Sequence, residues 1–150
     1  MIHQSIATIV TSRKVRTVSP QATVREACHL LVASPEGAVA VLDEGRLVGI
    51  LSEHDVIARA ICAERPTTET PVSAIMTAEP RSVEVSASLA EAMRIMTDGD
   101  FRHLPVMLGR ELVGILSMRD IPTQYRLLVE RFSEFRDAAQ EAGDRVTLLV

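Results

Sequence analysis

The chain repeats itself, and that constrains its folding more than any other feature. Displaced by 65 residues without a gap, residues 16–55 align with 81–120, and thirteen of the forty positions are identical. Unrelated segments of average composition would share about two or three. The identities are Arg16/Arg81, Val18/Val83, Ala22/Ala87, Glu26/Glu91, Ala27/Ala92, Val41/Val106 and Asp55/Asp120, together with the run Leu47–Ser52 repeated at Leu112–Ser117. Whatever one copy forms the other forms too, and neither is large enough to bury its own apolar surface alone.

Each copy reads as the same succession of elements. A short β-prone piece (15–18, then 81–85) leads into a helix whose start carries a capping box, Thr23 with Glu26 and Ser88 with Glu91. Apolar residues follow at helical spacing: Val24, Ala27, Cys28 and Leu31 in one copy, Leu89, Ala92, Met93 and Met96 in the other. Next comes a hairpin. Residues 38–42 and 47–51 flank the turn Asp43-Glu44-Gly45-Arg46, and 104–108 and 112–116 flank a turn with Gly109. These strands are continuously apolar, which implies burial on both faces or against a partner. A second helix begins after Ser52 and after Ser117.

The fold class is therefore α/β (α+β): two repeats of βαββα type packed as a pseudo-two-fold pair, with a C-terminal helix. Residues 1–65 form the first repeat and 66–135 the second. Linker composition starts at residue 63, and 66–71, between Pro66 and Pro71, is the linker proper. Residues 136–150 are helix end and tail. Residues 121–142 read as that helix, with Pro122 in its first turn and Gly143 as its stop. Tyr125, Leu128, Phe132, Phe135 and Ala139 form its apolar stripe, expected to pack within the chain or on a second subunit. Arg145–Val150 has the composition of a strand.

Composition narrows the function classes. Apolar residues make up 47% but aromatics only 3%, with no Trp, so the core must be aliphatic. A net charge of −4 gives no general attraction for phosphate backbones, so nucleic acid is a disfavoured partner. There is no apolar run of membrane-spanning or signal-peptide length, which leads to the expectation of a soluble, cytoplasmic protein with no membrane partner. Cys28 and Cys62 lack metal or redox spacing, and Cys28 falls on an apolar helix face as a small hydrophobe. His3, His29, His54 and His103 are scattered, so no metal site is expected. No nucleophile elbow, phosphate loop or zinc-protease motif is present, so the chain is not expected to be an enzyme.

Two constellations carry chemistry. The first is Ser-x-x-Asp where the hairpin meets the second helix: Ser52-Glu53-His54-Asp55 and Ser117-Met118-Arg119-Asp120. This is a capping pattern in its own right. The same placement also suits a nucleoside phosphate, with a hydroxyl for a phosphate oxygen and a carboxylate for a ribose diol. Repetition does not choose between them, since a duplicated cap is still a cap. The second is Phe101-Arg102-His103 at the start of the second hairpin, either a solvated strand edge guarded by Pro105 or a basic pair facing a ligand.

Taken together, Ile75-Met76-Thr77, Ser82-Val83, Arg102-His103-Leu104-Pro105-Val106 and Leu112 to Asp120 resemble the signature of the CBS (cystathionine-β-synthase-type) domain. The first copy is similar through Thr17 to Val24 and Leu47 to Asp55, and the resemblance covers roughly residues 6–135. It implies a stand-alone regulatory pair that binds AMP, ADP, ATP or S-adenosylmethionine between its repeats, needs no cofactor, forms a homodimer and signals to a protein target. Carried over position by position, Asp55 and Asp120 are the ribose carboxylates, and Ser52 and Ser117 the hydroxyls. Arg102 and His103 serve phosphate, with His54 and Arg119 close by. Thr17, Ala38, Val83 and Pro105 complete the implied walls. Opposite Phe101-Arg102-His103 the first copy has Glu36-Gly37-Ala38, and an acid there repels phosphate. The expectation is thus that Asp120 carries the site and Asp55 contributes less. The rival reading is a dimerisation or docking module with vestigial clefts.

Overall fold

A computed structural model describes residues 4–148. Residues 121–150 separate from the rest as a second compact unit and are treated by themselves. His3 and the last two residues of the tail lie outside the described residues.

The first sheet runs β1 (Thr17–Val18), β2 (Ala38–Asp43), β3 (Arg46–Ser52) and β4 (Thr77–Ala78), in that spatial order. Helix α1 is Ile6–Thr11, and helix α2, Val24–Ala33, lies between β1 and β2. The second sheet is β5 (Val83–Glu84), β6 (His103–Leu108) and β7 (Glu111–Ser117), with helix α4 (Leu89–Gly99) between β5 and β6. β1 pairs with β2 in parallel and β2 with β3 antiparallel, and β5, β6 and β7 repeat this pattern. Even the irregularity recurs: the ladder shifts between Val41 and Leu42 and again between Val106 and Met107.

The continuous apolar runs are explained by burial on both faces. Strand side chains alternate, so Val39, Val41 and Leu51 point into a core with Val24, Ala27 and Leu31 of α2. Ala38, Ala40 and Ile50 point the other way and meet Ile115 of β7. The small alanines let the two sheets approach closely, and this seam joins the repeats.

Packing ties the segments around the linker to both repeats. Residues 63–71 are more than a linker: the carbonyls of Thr70 and Thr67 accept from Val24 N and Arg25 N, both at 2.9 Å. They satisfy first-turn N–H groups of α2 that no helical bond reaches. The two repeats also exchange segments. Residues past the linker close the first sheet as β4, with Val72 and Ile75 in the first repeat's core. In turn α1, started by Ser5 Oγ accepting from Thr8 N, packs on β7. The glycine in each Leu-Val-Gly-Ile-Leu-Ser run marks the crossing point. A Cβ on Gly114 would stand 2.7 Å from Val10 Cβ, and one on Gly49 would collide with Met76.

The capping box of α2 is complete, with Thr23 and Glu26 each bonded to the other's backbone N–H. In α4, Ser88 Oγ accepts from Glu91 N. The copies differ at their second helices. After Ser52 comes a short helix, α3 (Glu53–Val56), continued by a π-helical turn Ile57–Ile61, whereas Met118–Asp120 makes one 3-10 turn.

In the second unit, α5 spans Thr123–Leu148. It runs through Gly143 instead of stopping there, and residues 145–148 are helical rather than strand. Leu128, Phe132 and Phe135 of the expected stripe are exposed, as is Leu127.

Candidate functional site

β3 ends at Ser52, and the turn into α3 brings Ser52 and Asp55 face to face. Ser52 Oγ accepts from Asp55 N at 3.2 Å, and Asp55 Oδ2 accepts from Ser52 N at 3.0 Å. The capping role is thus realised. It leaves Asp55 Oδ1 with Arg59 Nε 4.0 Å away, and a carboxylate oxygen has lone pairs for a further donor. Arg59 itself is held, donating from Nη1 to the carbonyls of Ile75 and Met76.

This carboxylate lines a cavity of about 730 Å³ whose walls come from both copies. The first copy supplies Ser52, His54, Asp55 and Arg59; the second supplies Arg81, Phe101, Arg102 and His103; Pro80 enters from the segment between. Phe101 lies over Gly99 so closely that a Cβ there would collide with its ring. That contact fixes an aromatic wall. His103 Nε2 lies 2.7 Å from the Glu36 carbonyl, which makes it the protonated nitrogen and the donor. Burial lowers the His103 pKa below its ordinary value, with Arg119 nearby adding to the effect against the pull of that bond. The ring is a neutral hydrogen-bonding group at pH 7. Arg81 and Arg102 differ: both are exposed, and neither guanidinium has a hydrogen-bond or ion-pair partner among the described residues.

The matching place in the second copy is filled. Asp120 Oδ2 accepts from Ser117 N at 2.7 Å, repeating the first cap, and Arg119 N donates to Ser117 Oγ at 3.3 Å. Here Arg13 adds a fork, Nη1 to Oδ1 at 2.8 Å and Nη2 to Oδ2 at 2.6 Å. Nη2 also donates to the Ile115 carbonyl at 2.9 Å, and Nε lies against Glu36 Oε1. Glu36, only 5% exposed, takes Ser34 Oγ on its other oxygen at 2.8 Å. The hydrogen bond to Asp120, more than any other contact, raises the Arg13 pKa.

Of the residues singled out from sequence, Ser52, His54, Asp55, Arg102 and His103 come together at the cavity. Ser117, Arg119 and Asp120 cluster at the filled position instead. Arg119 and Glu53 close on Gly37, whose φ of +74° and missing Cβ leave them room. Ala38 is buried at the seam, Val83 and Pro105 are buried in their strands, and Thr17 is exposed beside Ala40. By sequence position Glu36 falls to the same copy as Asp55. In the structure Glu36 belongs with Asp120, because each hairpin faces the other copy's Ser-x-x-Asp. Arg81 was visible in the sequence as the identical partner of Arg16. Arg13 had no such signal, since Ala78 stands 65 residues on. Among the described residues no group of His, Cys, Asp and Glu could hold a metal ion, and no helix is long and apolar enough to cross a membrane.

Two interlocked copies of one unit, with a mixed-copy cleft at their seam, define a tandem-repeat module. The CBS domain family matches residues 6–61 and 72–122, and the chain belongs to that family. The CBS domain-containing protein YhcV of Bacillus subtilis is 35% identical over 108 residues, 72% of this chain and 76% of that protein. A CBS domain-containing protein of Arabidopsis thaliana is 36% identical over 106 residues, but the match spans only 20% of its length. Among solved structures, a CBS-domain containing protein from Agrobacterium tumefaciens is 35% identical with a TM-score of 0.65, covering 72% of this chain and 86% of that one. A CBS domain protein from Pyrobaculum aerophilum complexed with AMP is 25% identical with a TM-score of 0.73, covering 85% and 97%.

Proposed function

We propose that the chain is a regulatory module, not an enzyme, that binds an adenine nucleotide in the Asp55 cleft. The observation that carries this reading is the pairing, across one cavity, of the Asp55 carboxylate with two guanidiniums, Arg81 and Arg102, that have no partner among the described residues. Asp55 Oδ1 accepts from a ribose hydroxyl, Phe101 offers a face to the base, and the arginines neutralise phosphate. The AMP bound to the Pyrobaculum aerophilum protein supports the ligand class. The free guanidiniums favour AMP, ADP or ATP over S-adenosylmethionine, whose sulfonium they would repel. A thermal-shift series with these four ligands tests the reading. A nucleotide at a hundred times its dissociation constant adds about 2.7 kcal/mol of stability. No shift with any of the four would refute it.

A second reading, assembly, is favoured by one observation. Leu127, Leu128, Phe132 and Phe135 are each more than half exposed on α5, an apolar stripe that invites a partner. We propose a two-fold homodimer, through which ligand state reaches a protein target. Light scattering is expected to give twice the 16.4 kDa chain mass, and a monomer at micromolar concentration would refute it.

A further inference from the structure

We infer that Arg13 is a built-in occupant of the second cleft, so that the chain offers a nucleotide one site although its duplicated sequence has two. The nucleotide part rests on the Asp55 reading above; the occupancy itself rests on the geometry at Asp120.

The repeat supplies an internal control. Asp55 and Asp120 occupy the same register, and each carboxylate caps its own serine backbone through Oδ2. Beyond that bond the two diverge. Asp55 looks into the cavity, while both oxygens of Asp120 are covered by the Arg13 fork. A ribose diol would need those same acceptors, and a bidentate guanidinium–carboxylate pair is among the strongest such contacts.

Two sequence differences account for the divergence, and they complement each other. Position 78 pairs with Gly49 at the edge of the first sheet and carries the short side chain of Ala78. Sixty-five residues earlier stands Arg13, long enough to reach the Ile115 carbonyl on the matching strand. Position 101 supplies the aromatic wall of the open cleft, and its counterpart is Glu36, which pairs with Arg13. An Ala–Phe combination leaves room for a base, whereas an Arg–Glu combination fills the room with an ion pair. In the second cleft Arg13 lies between two carboxylates, Glu36 and Asp120, and displacing it with a phosphate ligand would leave both without that partner.

Titrating the full chain with AMP by calorimetry should give one nucleotide per chain. Asp120→Ala should keep AMP affinity within about twofold, while Asp55→Ala loses about tenfold or more. Two nucleotides per wild-type chain, or a loss at Asp120→Ala matching that at Asp55→Ala, would overturn the inference. A second measurement needs no nucleotide. Arg13→Met and Asp120→Asn should each lower the melting temperature, and the double variant should melt no lower than the worse single, because both break one latch. Additive losses would overturn the latch. If AMP binds nowhere and the losses are non-additive, the nucleotide reading fails while the latch stands.

Discussion

Asp55 serves as a cap and, on our reading, as a ribose ligand, and substitutions separate the two roles. In Asp55→Asn the amide oxygen can still accept from Ser52 N, which the carboxylate now meets at 3.0 Å. The cost is then mainly the lost charge in the first turn of α3, about 0.3–1 kcal/mol. Asp55→Ala removes the acceptor as well and strands a part-buried N–H, adding about 1–3 kcal/mol. Binding should respond differently. Asp55 is only 9% exposed, so a hydrogen bond from a ribose hydroxyl to it is little screened. Replacing that charge-assisted bond costs about 1.5–3 kcal/mol, roughly ten- to 150-fold in affinity. Asparagine should therefore be nearly as stable as wild type yet bind AMP at least about tenfold more weakly. Urea denaturation gives the stability arm and calorimetry the binding arm. Near-wild-type binding by folded Asp55→Asn would show that the residue is a cap alone.

Three further outcomes follow from other parts of the molecule. Gly114→Ala forces α1 away from β7, since the new Cβ would lie 2.7 Å from Val10; denaturant midpoints should show a loss of about 1–3 kcal/mol. His103 has a folded pKa below the 6.5 of the free group, so the unfolded chain binds more protons between those values. Stability should fall as pH drops below about 6.5, and His103→Gln should flatten that slope in pH-dependent melting curves. Phe132→Ser with Phe135→Ser, both on exposed positions of α5, should reduce the mass seen by light scattering to that of a monomer while leaving the melting of residues 4–120 unchanged.

The sequence was most legible where one copy could be checked against the other. Thr23 and Glu26, the paired hairpins and the two-sided burial of Val39 and Ala40 follow from local patterns that the duplication repeats. Asp55, Arg102 and His103 were nameable because motif and family coincide on them. A cleft drawing on both copies, with Arg102 and His103 reaching the neighbouring one, is implied by the resemblance; the side on which Glu36 falls is not. Glu36 reads as a flaw beside Asp55 only if each hairpin serves its own helix. The close approach of Ala38, Ala40, Ile50 and Ile115 brings each hairpin to the other copy's carboxylate instead. Arg13 lies outside the aligned block, and no periodicity announces a partner more than a hundred residues away. At the C-terminus, Gly143 is a sound stop signal by composition, but an exposed helix tolerates an interior glycine at about 1 kcal/mol.

The exchange of segments also governs how the chain can be made. During synthesis the whole first sequence copy leaves the ribosome before its sheet can close, because β4 (Thr77–Ala78) lies past the linker. Helix α1 waits longer still: its seat on β7, residues Glu111–Ser117, is among the last parts of the pair to emerge. Until then Ile6, Ile9 and Val10, buried in the finished protein, have no native surface to cover them. Such non-local closure slows folding, since the loop entropy must be spent before the contacts form. Neither sequence copy is therefore an independent folding unit. A chain severed between Ile61 and Val72 should yield two fragments that are each unstructured alone and regain the fold only when mixed.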